Sequence, residues 1–82
     1  MSTDRSPSTN TVEVFVPLMN EGTDVLRPTR GVVLGPNEVQ VLATLGYDPT
    51  DEEWQFPPGV KVRCVKERRG GREVLVARQR IA

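Results

Sequence analysis

The residues able to do chemistry fall into three groups. Cys64 stands beside Arg63 and Lys66; Asp48, Asp51, Glu52 and Glu53 form an acidic run; Lys61, Arg63, Lys66, Arg68, Arg69 and Arg72 form a basic stretch, with Arg78 beyond it. Cationic neighbours favour a thiolate, so Cys64 has part of the setting of a nucleophile. Strand alternation, however, puts it on one face with Val60 and Val62, and the expected role is a small buried hydrophobe. The acidic run lacks the alternating oxygen ligands and central glycine of a calcium loop and is expected as a solvated loop. The basic stretch has the charge to meet phosphate, but no aromatic residue interleaves with it to stack on bases.

Composition removes other chemistries. The chain has 82 residues, no histidine and a single cysteine. A histidine base, a histidine metal ligand, an intramolecular disulfide and a cysteine-built zinc site are all excluded. So small a domain leaves little room for a cleft in which two carboxylates could flank a glycosidic bond. The expectation is a protein that is not an enzyme and holds no cofactor or metal. No apolar run is long enough to span a membrane, and MSTDRSPSTN lacks the apolar stretch of a secretory signal, so a cytoplasmic location is expected.

These groups need elements to position them. Residues 1–11 are nearly all polar and are expected as a disordered tail, with one small domain over 12–82. VEVFVPL alternates Val12, Val14 and Val16 against Glu13 and Phe15, a strand that Pro17 ends or places at an edge. Asn20–Asp24 has the composition of a turn. In VLRPTRGVVLG, Pro28 marks an edge or a strand start, and Gly31 a bulge or a close backbone approach. Gly35-Pro36-Asn37 is a turn. After it EVQV alternates as a strand, although Asn37 as a cap and the spacing of Val39, Leu42 and Leu45 also allow a helix; the valines favour the strand. Thr50 with Glu53 has the spacing of a capping box. Trp54 and Phe56 are expected to enter the core, with an exposed binding aromatic as the alternative for Trp54.

VKVRCVKE and REVLVARQR read as a hairpin. A two-residue Gly70-Gly71 turn would set Cys64 opposite Ala77 and Glu67 opposite Val74, mixing apolar and polar faces. A three-residue Arg69-Gly70-Gly71 loop would instead pair Cys64 with Val76 and gather Val62, Cys64, Val74 and Val76 on one face. Core burial favours the three-residue loop. Five short strands without a long helical pattern give an all-β fold: a five-stranded barrel or strongly bent antiparallel sheet, SH3-like in type.

Lys plus Arg and Asp plus Glu both number 11, but they are unevenly placed. Residues 1–55 carry three basic and nine acidic residues, and residues 56–82 carry eight basic and two acidic ones. Such halves can meet two partners, attract each other within the fold, or pair head to tail in an oligomer. Strand alternation is expected to project Lys61, Arg63 and Arg78 together.

The stretch VFVPLMNEGTDVLRP, followed later by DEEWQFPPGVKVRC, resembles a group of short bacterial proteins of unknown function. Their pattern is a Val-rich strand, NEGTDVWRP, a second hairpin, an acidic-aromatic segment and a Gly-x-x-Val-x-Cys strand. The resemblance spans about residues 12–78 and implies a small bacterial single-domain protein, with no catalytic residues to carry over. This chain departs from it at Leu26, where the pattern has tryptophan.

The functional expectation is a protein-interaction module. Its contact surfaces would be the Asn20–Arg27 loop (Asn20, Glu21, Thr23, Asp24 and Arg27) and the basic hairpin (Lys61, Arg63, Lys66, Arg68, Arg69, Arg72 and Arg78). Asp24 is placed to pair with Arg27, and Glu21 to reach the hairpin. An unknown protein partner is expected, with nucleic acid on the hairpin as the alternative. Self-association through the opposite charges or through edge strands is also open.

Overall fold

The computed structural model describes residues 10–22 and 25–81. The expected tail lies largely outside the described residues. Its last two positions are placed: the Asn10 carbonyl accepts a bond from the Val33 amide at 2.9 Å, and Thr11 opens the first strand. Five strands follow: β1 (Thr11–Pro17), β2 (Leu26–Gly35), β3 (Glu38–Val41), β4 (Lys61–Arg69) and β5 (Arg72–Arg80). They close into a barrel in the order β1-β2-β3-β4-β5. There is no helix among the described residues, and Asn37–Leu45 is strand and loop. The fold is all-β, a small five-stranded barrel consistent with the SH3-like type.

Sequential neighbours pair antiparallel throughout. An odd number of strands in this order leaves the first and last pointing the same way, so β1 meets β5 in parallel, at Phe15 and Val76. One end of the barrel carries the β1–β2 and β3–β4 connections. The other carries the turns at Pro36-Asn37 and Gly70-Gly71.

Valine fills the interior because alternating β-branched side chains suit a small, strongly curved sheet. Val14, Val16, Val39, Val41 and Val62 are fully buried, joined by Cys64, Ala77, Trp54 and Phe56. Trp54 and Phe56 enter this core as expected, and Trp54 meets Tyr47 edge-on at 4.6 Å between ring centres. Gly31 is the close approach: a Cβ there would lie 2.8 Å from Val39 Cγ2 and 2.9 Å from Val39 Cβ. Asn37, with φ of 60°, follows Pro36 as a type II turn requires.

The β4–β5 hairpin corrects the expected register. Arg69 pairs with Arg72, leaving a two-residue turn in which Gly70 and Gly71 have φ of 59° and 82°. Both values are positive, as in a type I′ turn, whose twist matches the flanking strands. Cys64 therefore opposes Ala77, Val65 opposes Val76 and Glu67 opposes Val74. Ala77 and Leu75 face the core, while Val74 and Val76 face outward with Val65 and Glu67.

Val74 and Val76 are nevertheless buried. Arg78 crosses the Val65–Val76 rung to reach Glu67, at 2.7 Å from Nε and 2.9 Å from Nη2. Val76 also lies beside Phe15 of β1, its partner in the parallel pair. A bulge between Arg63 and Cys64 absorbs the shift in pairing.

Candidate functional site

The loop end is built around Asp48, Glu52 and Trp54. Asp48 accepts from the Thr50 amide at 2.9 Å and the Thr50 hydroxyl at 2.7 Å. The amides of Asp51 and Glu52 return to the Asp48 carbonyl. Asp48, not Thr50, is thus the residue that organises this turn. The Thr50 bonds hold its carboxyl below the usual range, the side-chain bond most strongly. Glu52 accepts from Trp54 Nε1 at 3.0 Å and pairs with Arg27; the Trp54 bond, then Arg27, lowers its pKa. Asn20 Nδ2 donates to Glu53 at 2.6 Å. These contacts tie the Asn20–Arg27 loop to the acidic segment.

Arg27 therefore pairs with Glu52; its expected partner Asp24, like Thr23, lies outside the described residues. Glu21 is exposed and makes no ion pair with the hairpin among the described residues. Leu45 is a feature the sequence reading missed. It stands at the apex of a turn closed by the Tyr47 amide on the Thr44 carbonyl, 105% exposed, between two shallow depressions of about 370 and 340 Å³.

The basic residues do not form one cluster. Arg63 leans toward β3 and pairs with Glu38 at 3.0 Å. Arg72 pairs with Glu13 of β1 at 2.8 Å. Arg69 and Arg78 converge on Glu67, both at 2.7 Å, and hold its carboxyl down to about 2, the Arg78 hydrogen bond contributing most. Arg63 and Arg78 thus point away from each other, and Lys61, opposite Gln40, joins neither. Among the described residues Lys61, Lys66 and Arg68 have no acidic partner within ion-pair distance.

The linear charge split is blurred by the fold. Antiparallel strands carry Glu13 and Glu38 to the arginines of the turn end and return Lys61 and Arg80 to the acidic end.

The far half of the hairpin has an open side. β3 covers β4 only over Lys61–Arg63, and the last bond on that side is Cys64 N–H to the Asn37 carbonyl at 2.6 Å. Beyond it, Val65, Glu67 and Arg69 direct their backbone groups to β5, as the alternation of antiparallel pairs demands from a two-residue turn. The amides and carbonyls of Lys66 and Arg68 point the other way, where no strand lies among the described residues.

Burial pushes the Cys64 thiol up to about 11, so the resting group is a neutral thiol in the core. No group of three or more His, Cys, Asp or Glu side chains is placed to hold a metal among the described residues. No helix among them is long and apolar enough to cross a membrane. Compared with known proteins, the chain matches no family model, no curated protein and no solved structure.

Proposed function

We propose that this protein is a non-enzymatic protein-interaction module acting in the cytoplasm, with the far half of the β4–β5 hairpin as its contact element. One observation carries the reading: past Cys64 the hairpin leaves β3 behind and presents exposed Lys66 and Arg68 whose side-chain charges have no acidic partner among the described residues. Elements that project from a rigid scaffold with unspent polar groups suit recognition. The Asn20–Arg27 loop, fastened to the acidic segment, is a second contact surface, and Leu45 stands beside it.

Affinity capture from a lysate of the source cell tests this. A partner retained by the native chain and by Leu45→Asp, but lost from a folded Lys66→Glu/Arg68→Glu variant, supports the hairpin as the contact element. Loss with Leu45→Asp alone moves the contact to the loop end. No recovered partner overturns the reading.

Nucleic acid is the second reading, favoured by Lys61, Lys66 and Arg68, which have no acidic partner among the described residues. Arg63, Arg69, Arg72 and Arg78 are already engaged by glutamates, so phosphate would have to displace them. Lys61, Lys66 and Arg68 together would give a salt slope of only about −3 on duplex DNA. Absence of RNA or DNA binding at low salt ends this reading.

A further inference from the structure

We infer that the open edge of β4 takes an added strand from another protein, and that this strand alternates acidic with apolar residues. The inference rests on the interaction-module reading and specifies how the hairpin makes its contact. Lys66 and Arg68 each bring two features to one place. Among the described residues no strand lies on the side that their amides and carbonyls face, and their side chains are cations without an acidic partner. An extended segment laid along residues 65–69 would complete those main-chain bonds. Residues directly opposite Lys66 and Arg68 share their face of the sheet, where a carboxylate meets each cation. The intervening residues of the added strand fall on the other face, beside Val65, which is 48% exposed. An apolar side chain opposite Val65 would extend the Val65–Val76 rung, and its neighbours on that face would lie beside the Glu67–Arg69 ion pair.

A second copy of this chain fits the edge poorly. Two β4 edges paired antiparallel about Glu67 set Lys66 against Arg68 of the other copy, and Glu67 against Glu67. Like charges directly opposite are unfavourable in a sheet. The same cations that discourage self-pairing along an open edge select an acidic strand.

The test uses the full chain and three synthetic ten-residue peptides: alternating Glu and Val, alternating Lys and Val, and a block of five Glu followed by five Val. Binding is followed by amide NMR at low salt. The alternating Glu peptide is expected to bind, to shift the resonances of Val65–Arg69, and to slow exchange of the Lys66 and Arg68 amides about tenfold. The alternating Lys peptide is expected not to bind, and the block peptide to bind without amide protection.

Lys66→Ala removes one ion pair and should weaken binding about threefold. Lys66→Pro also removes the outward amide, without costing a bond to β5, and should weaken it more than tenfold. Equal loss in both variants, or binding without protection of the two amides, overturns strand addition while leaving a charge-based contact standing. Equal binding of all three peptides, or none by the alternating Glu peptide, overturns the inference. If Lys66→Pro does not fold, amide protection in the native chain decides alone. Capture lost with Lys66→Glu/Arg68→Glu but kept in Lys66→Pro separates the broader reading from this one.

Discussion

The two halves of β4 are made of the same strand and are stabilised differently. Over residues 61–64 the backbone is bonded on both sides, and Val62 and Cys64 are sealed in the core. Over residues 65–69 β5 is the only strand neighbour among the described residues, and Arg69 and Arg78 converge on Glu67 beside Val74 and Val76. Burial sets the stability of the near half, where any change of volume is felt. The far half leans on partly exposed ion pairs, individually weak and sensitive to acid and salt.

Substitutions can break or sharpen this contrast. The largest effect is expected in the barrel: Trp54→Ala should cost about 3–5 kcal/mol, read as a fall in the urea midpoint. Gly31→Ala comes next. Its added methyl meets the stiff Val39 side chain, and about 2–3 kcal/mol should be lost. If either change were as mild as one in the hairpin, the near half would not be burial-dominated.

The ion cluster gives the third prediction. Glu67 titrates near 4.5 when unfolded and near 2 in the fold. As pH falls, the unfolded chain takes up this proton first. The stabilisation is therefore complete above about pH 4.5 and is lost as pH drops toward 2. Solvent screening at the two partly exposed arginines keeps it to about 1 kcal/mol. Glu67→Gln should lose that amount at pH 7 and flatten acid unfolding in this window. The smallest effect is at the turn: Gly70→Asn keeps the left-handed backbone, restricts the unfolded chain and should stabilise by about 0.5 kcal/mol. A three-residue loop would not reward that change.

The same contrast marks what could be read from the sequence. Alternating valines in β1, β3 and the first half of β4, the turn at Pro36-Asn37, the close approach at Gly31 and the burial of Trp54 were legible, because burial repeats with the period of the strand. The hairpin register was not. Gathering Val74 and Val76 with Val62 and Cys64 assumed that buried means inward, whereas those two valines are buried on the outward face. The partners of the arginines were illegible for a related reason. Glu13 and Arg72 are neighbours only because the barrel closes, and Arg27 finds Glu52 only because the loop end folds over Trp54. The exposure of Leu45 was illegible because turn position, not residue type, sets it.

The parallel meeting of β1 and β5 also bears on time. The other strand pairs, β1–β2, β2–β3 and β4–β5 above all, join residues near in sequence and can form as local units. Phe15 and Val76 lie about sixty residues apart, and their union gains little until the rest is in place. That seam should close last in folding and open first in unfolding. It then works as a clasp, setting how fast the whole barrel comes apart.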